Sequence, residues 1–404
     1  MKKFKRSAQS QPKHGKPASS GASKAPVAPP VRRPGWTGPS YLHKPAKKTP
    51  TAVKDTASSM EQIQSLSVQH QQLILDTVRT TFPAVDEFSA LKPVLREIRE
   101  ALEQKDYCKA FGTQEVLEAY TIRWSPSRAL TMGNVLAWMC SEMSETAWVQ
   151  QFLLNDGQKP SKIVCFGRGG SDLLACAALL KHSHESKLDE LSRPESSSTD
   201  HNDSAMVDLN LIDRHHWSGI VTKLQYTLTH PPTLSKYATA KAHASNTSAI
   251  PSHAVDLAVN NLDILESDST TLRAMIGPNP ALITIFFTLH EFYSISISKT
   301  TAFLLRLTET APRGSLLLVV DSPGADVVLP GSSDKGQEKK YPLEWLLYQA
   351  LLPPKNADSE EEEQPAWAKL VEGGHEKEYK LPMGLRFPGS LENTRFQVHL
   401  LERL

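Results

Sequence analysis

The sequence predicts an α/β protein built on a mostly parallel, doubly wound sheet. Three observations predict it. Short apolar runs, "KIVCF" (162–166), "ALITIFFTL" (281–289) and "SLLLVVD" (315–321), suit strands covered on both faces. Helical stretches at 172–182, 299–311 and 341–352 alternate with them. A glycine turn, "GRGG" (167–170), joins the first run to its helix, where backbone can approach a ligand closely.

The elements follow in order. Leu66, Leu73, Ile74 and Val78 keep helical spacing over 61–82. Phe88, Leu91, Leu95, Ile98 and Leu102 step by three and four over 88–102. In "YTIRWSPSRAL" (120–130), Ser125 before Pro126 reads as an N-cap with proline at the first helical position. Met132, Val135, Leu136 and Met139 continue that helix, so 61–150 reads as helical with no strand. From 151 onward the sheet pattern takes over. "MVDLNLID" (206–213) alternates as a strand, "AVDLAV" (254–259) is another, and "RFQVHLLERL" (395–404) is the last. Polar stretches near 183–205, 236–250, 330–340 and the acidic 355–364 read as surface insertions.

Charge is divided unevenly. Residues 1–48 hold twelve Lys and Arg and no Asp or Glu, leaving 33 basic against 44 acidic residues beyond them, a net of −11. The first 60 residues, rich in Pro, Ser, Ala and Gly, bury too little apolar surface to offset ordering and are expected to be a disordered basic tail. Such a tail suits nucleic-acid phosphates or a nuclear address, or simply adds solubility. No run of eighteen apolar residues occurs, so no membrane contact is expected, and the N-terminus lacks the apolar stretch of a secretory signal. Cys108, Cys140, Cys165 and Cys176 lack CxxC spacing, which fits buried thiols. The pairs His182/His184 and His215/His216 have no partners at ligand spacing, so no metal is expected.

The turn at 167–170 is compatible with phosphates, a nucleoside or no ligand. A dinucleotide fingerprint wants glycine where Asp172 stands, and a pyrophosphate there would face a carboxylate. No GK[ST] follows, which argues against a nucleotide P-loop. An acid suits a cationic, polyhydroxyl ligand, and S-adenosylmethionine has both features. Gly167, Gly169 and Gly170 are the candidate cradle, with Arg168 a cation between them. Asp213 ends the second strand 43 residues after Gly170. Without the 23-residue insertion the gap is 20, the spacing of a ribose-binding acid. Asp263 follows the third strand and suits an adenine amino group.

"KDYCKAFG" (105–112), "YTIRWSPSRAL", "KIVCFGRGG", "TLHEFY" (288–293), "KTTAFLLRLTETAPRGSLLLVVDSPG" (299–324), "YPLEWLL" (341–347) and "LPMGLRFPGSLENTRFQVHL" (381–400) occur in that order. This series resembles the fungal 25S rRNA uridine-N3 methyltransferases, over about residues 61–404. The resemblance implies a Rossmann-like class I methyltransferase sheet of seven strands with the last antiparallel. It also implies S-adenosylmethionine as cofactor at Gly167, Gly169, Gly170, Asp213 and Asp263, and Asp172 joins these candidates as the acid suited to a cationic ligand. The substrate would be large-subunit rRNA or a preribosome, met by a monomer in the nucleus, nucleolus or cytoplasm.

Uridine N3 is protonated at neutral pH, so methylation there calls for a base or for stabilisation of the uracil anion. His290 and Glu291 are the candidate bases, at the substrate-facing end of the fourth strand. Phe292 and Tyr293 are candidates to stack on the base. Arg123, Trp124 and Arg128 suit RNA phosphates or the cofactor carboxylate, and Asn393 and Arg395 are placed to reach RNA. Two other readings compete: a methyltransferase-fold assembly factor that has lost catalysis, and a nucleotide-dependent oxidoreductase, against which the acid at 172 argues.

Overall fold

The computed structural model of the 404-residue chain describes residues 61–154, 159–167, 169–191, 205–324, 326–329, 339–352, 365–371 and 376–404. The expected basic tail, Arg168 and the expected insertion 355–364 lie outside them, as do most of the insertions at 183–205 and 330–340.

Eleven strands occur among the described residues: β1 Glu61–Gln62, β2 Ser161–Phe166, β3 Val207–Asp213, β4 Val255–Asn261, β5 Ala281–Phe286, β6 Leu316–Asp321, β7 Asp326–Leu329, β8 Lys339–Pro342, β9 Trp367–Lys369, β10 Glu376–Tyr379 and β11 Thr394–Arg403. Nine form one sheet, ordered β1-β10-β11-β6-β5-β2-β3-β4, with β9 paired to β11. The run from β4 to β6 is parallel, and β11 is antiparallel to β6. The expected count of seven is exceeded because β1 and β9 add two short edges. β7 and β8 form a separate hairpin.

Two cores explain the apolar runs. In β6, Leu316, Leu318 and Val320 pack into one core, while Leu317 and Val319 pack into the other. β2 divides likewise, with Ile163 and Cys165 on one side and Val164 and Phe166 on the other. Strands buried on both faces must be apolar throughout. The helices of the first core include α1 Val68–Thr81, α2 Lys92–Glu103, α3 Tyr107–Phe111, α4 Gln114–Glu142, α5 Ala147–Leu154, α6 Gly170–Leu191 and α7 Ser218–Thr229. After the short exposed α8 Ala240–Ala244 come α9 Ser269–Ile276, α10 Leu289–Ile295, α11 Ile297–Thr310 and α12 Leu343–Leu351, which pack into the second.

Several expectations are corrected. Helix α4 does not start at Ser125–Pro126. It starts after Thr113, whose hydroxyl accepts from the Val116 N–H at 3.3 Å, and runs through Pro126. An interior proline costs about 3 kcal/mol. Buried Ile122, Leu130, Val135 and Leu136 each return about 1.5–3 kcal/mol, so packing keeps the helix continuous. The segment 61–150 is not free of strand, because Glu61 pairs in parallel with Lys377 of β10. Two residues carry no periodicity by which to read them. The segment 88–102 is not one helix: a 3-10 helix, Pro83–Leu91, precedes α2. The expected insertion at 183–205 begins with the last turns of α6, which runs to Leu191. Residues 339–342 of another expected insertion and helix form β8.

The strand order reverses beside β2, whose neighbours are β3 on one side and β5 on the other. Ligands of open α/β sheets bind in the crevice outside the carboxyl ends of the strands at such a reversal. That crevice holds the candidate site.

Candidate functional site

The carboxyl ends of β2, β3, β4 and β5 converge on a cleft. Gly167, Asp213, Asp263, Thr288, Glu291 and Phe292 line it, so three candidate cofactor residues meet in one place. Asp213 is held by its own turn: Oδ1 accepts from the His215 N–H at 2.7 Å, and its carbonyl accepts from the Leu262 N–H at 2.9 Å. Asp263 is held in the same way, accepting from the Leu265 N–H at 3.1 Å. Thr288 donates to the Phe166 carbonyl at 3.0 Å, which ties the end of β2 to the start of α10. Two strand-end carboxylates can accept ribose hydroxyls, and Ile212, Leu262, Ile264 and Ile295 can flank a flat base. This donor set fits an adenosyl group.

The other glycines act differently. A Cβ on Gly169 would lie 3.2 Å from Val221 Cγ2, and one on Gly170 would lie 3.4 Å from Leu224 Cδ1. They allow α7 to pack closely on the turn and do not line the cleft. Asp172 is also absent from the cleft wall. It is 5 % exposed in the first turn of α6, close to the Cys165 thiol, and burial raises its pKa to about 6 against the lowering pull of its backbone bonding, Cys165 and Arg128. Asp172 lines neither this cleft nor the one beside it.

A second cleft adjoins the first, with Tyr107 and Glu291 in both walls. His290, Arg128, Lys105 and Asp326 also line it. His290 Nδ1 lies 2.6 Å from Oδ1 of Asp321, and the His290 backbone N–H donates to Oδ2 at 3.1 Å. Asp321 is fully buried at the end of β6 and also accepts from the Ser322 N–H at 2.8 Å. With Nδ1 donating to a carboxylate, Nε2 of the neutral ring is the nitrogen that can take a proton. Asp321 was not among the sequence candidates. Its signal was the acid closing the run "LLLVVD", at the same strand edge as His290.

Arg128 of α4 points its guanidinium between aromatic faces. It donates to the Tyr120 hydroxyl and lies 5.7 Å from the ring centres of Tyr120 and Phe287. Phe287 has φ of 54°, a left-handed conformation that costs a bulky side chain about 1–3 kcal/mol. Its N–H donates to the Val320 carbonyl at 2.7 Å, which fixes the bend where β5 turns into α10. Strain is thus held at the junction that delivers His290.

The remaining candidates are placed elsewhere. Tyr293 is buried in the second core and cannot stack on a ligand, whereas Phe292, one residue earlier, lines the first cleft. Arg123 is mostly buried and paired with Glu392, so it is not presented to phosphates. Trp124 packs at 4.9 Å from the ring of Tyr120. Asn393 accepts from the Leu381 N–H at 3.0 Å, and exposed Arg395 lies 3.6 Å from Glu378. Neither lines the two clefts.

A family model described as "Putative SAM-dependent methyltransferase" matches residues 78–402. A curated relative, the 25S rRNA (uridine(2843)-N(3))-methyltransferase of Saccharomyces cerevisiae, is 26% identical over 81% of this chain and 84% of its own. Among solved structures, the DszA carbon methyltransferase is 12% identical with a TM-score of 0.34, over 77% of this chain and 66% of that chain. An O-methyltransferase family protein from Burkholderia thailandensis is 10% identical with a TM-score of 0.32, over 78% and 72%.

Proposed function

The chain belongs to this family of S-adenosylmethionine-dependent methyltransferases, and from that premise we propose that it methylates N3 of a uridine in large-subunit (25S) rRNA during ribosome assembly. The substrate class follows the yeast relative. The observation that carries the chemistry is the His290–Asp321 pair, in a cleft adjoining the one that fits an adenosyl group.

When bound, S-adenosylmethionine supplies an electrophilic methyl group on a sulfonium sulfur. Gly167, Asp213 and Asp263 hold its adenosyl portion in the first cleft. His290 Nε2 takes the proton from uridine N3. Asp321 keeps Nδ1 protonated and stabilises the imidazolium that results. The His290 side chain is 37% exposed, so it can return the proton to water. Arg128 supplies donors to the uracil oxygens, where negative charge gathers as N3 loses its proton. Since N3 lies on the pairing edge, the uridine enters unpaired or flipped. Large-subunit assembly gives the setting: nucleolus, nucleus or cytoplasm.

The test is incubation of the purified chain with S-adenosylmethionine and unmodified large-subunit rRNA, followed by mass analysis of the nucleosides. Wild type forms 3-methyluridine and His290→Ala forms almost none. Equal yield from the two would remove His290 as base, and no product from wild type on either naked rRNA or preribosomes would overturn the reading.

A further inference from the structure

The 40 residues from Arg214 to His253 contain no Asp or Glu. They hold Arg214, Lys223, Lys236, Lys241 and five histidines, while the rest of the chain beyond residue 48 has a net charge of −15. Such a segment in so acidic a body is a charge feature that neither core requires. Trp217 is buried in the first core, but two other aromatics of the segment are equally unexplained by folding. Tyr226 is 63% and Tyr237 82% exposed, so neither contributes much to burial.

Both rings are set beside a cation or an imidazole. α7 buries Ile220, Val221, Leu224 and Leu228 and turns Tyr226 outward. The Tyr226 ring stacks on exposed His230 at 4.0 Å and 21°, and His230 Nδ1 is fixed 2.9 Å from the Tyr226 carbonyl. Lys236 Nζ lies 5.0 Å from the ring centre of Tyr237. Glu118 takes up one charge, pairing with Lys223 at 2.8 Å. Arg214 and His215 line the first cleft, and α7 leads away from it. From Ser218 to Tyr226 the helix advances roughly 12 Å.

We propose that the segment 214–253 is a landing surface for single-stranded RNA, with bases stacking on Tyr226/His230 and Tyr237 and phosphates meeting Arg214, Lys236 and Lys241. Base stacking on aromatics is sequence-tolerant, and cations beside the rings track the backbone. This surface would hold RNA flanking the target nucleotide, and the inference rests on the reading that RNA is the substrate.

The test uses the full chain, a short fluorescein-labelled oligouridine and fluorescence anisotropy. Tyr226→Ala/Tyr237→Ala should weaken binding at least about fivefold. Lys236→Gln/Lys241→Gln should flatten the slope of log affinity against log salt by about 1.4. Melting temperature and S-adenosylmethionine affinity should stay at wild-type values in both variants, since neither touches the clefts. Affinity and salt slope unchanged in both variants, with rRNA methylation intact in wild type, would overturn this inference alone. Wild type that neither binds nor methylates RNA would overturn both readings. Polyglutamate competing much more weakly than unlabelled oligouridine for the wild-type protein is the result expected of a surface that stacks bases. Polyglutamate binding directly, and being lost in both variants, would instead mark the surface as one for acidic proteins and overturn the proposal.

Discussion

His290 and Asp321 are 31 residues apart in sequence, and Nδ1 of the one lies 2.6 Å from Oδ1 of the other. Their meeting depends on β5 and β6 being parallel neighbours, which brings the two strand ends to one edge. Asp321→Asn keeps the shape but removes the carboxylate that fixes the ring's tautomer. The turnover number for methylation should fall about 10²–10⁴-fold, with S-adenosylmethionine affinity unchanged by calorimetry. A loss of affinity equal to the loss of rate would show that Asp321 supports the fold and not the base.

Arg128 is the second group in the same cleft. Arg128→Met keeps much of the stem volume against Tyr120 and Phe287 but removes the donors. If the guanidinium stabilises uracil charge, turnover should fall about 10²-fold or more with RNA affinity little changed. Single-turnover rates at saturating RNA measure this. A change confined to the Michaelis constant would assign Arg128 to binding alone.

Asp213 is the anchor proposed for the ribose hydroxyls. Asp213→Asn should weaken S-adenosylmethionine binding roughly 10–100-fold, the cost of losing hydrogen bonds to a charged acceptor. The same variant should bind RNA normally. Calorimetric titration checks the first and anisotropy the second, and wild-type cofactor affinity in the variant would move the ribose site elsewhere.

Two buried groups should move acid stability in opposite directions. Burial raises the pKa of Asp172 to about 6 from 3.8, so the folded state binds its proton more tightly than the unfolded state does. That contribution is fully present below pH 3.8 and is lost as pH rises through 6. Burial, then Lys369, lowers the pKa of His399 to about 4 from 6.5. Its contribution is present above pH 6.5 and is lost as pH falls through 4. Asp172→Asn should therefore gain stability relative to wild type as pH rises from 4 to 7, by roughly 3 kcal/mol at most. His399→Gln should gain relative to wild type as pH falls over the same window. Thermal melts of the three proteins across pH 4–7.5 test both signs, and parallel curves would show that neither group titrates differently in the folded state.

The strands and the cleft acids were legible because their signals are local. A strand buried on both faces must be apolar along its length, as β5 and β6 are. An acid at the end of such a run, as at Asp213, reads as a site at the sheet's edge. The start of α4 was misread because Ser125–Pro126 has good capping chemistry, and only packing around Ile122 and Leu130 outweighs the proline. Phe292 and Tyr293 were indistinguishable in sequence, yet a one-residue rotation on α10 sends one to the cleft and the other to the core.

The sequence by itself determined the alternating α/β order, the glycine turn and the acids beyond it, since periodicity and turn chemistry act over a few residues. Only the tertiary structure decided which charged groups meet. Arg123 finds Glu392 across 269 residues, Arg128 comes to Phe287, and Asp321 comes to His290. Such contacts depend on strand order and helix packing, in which each side chain's neighbour is set by the whole sheet and not by its flanking residues.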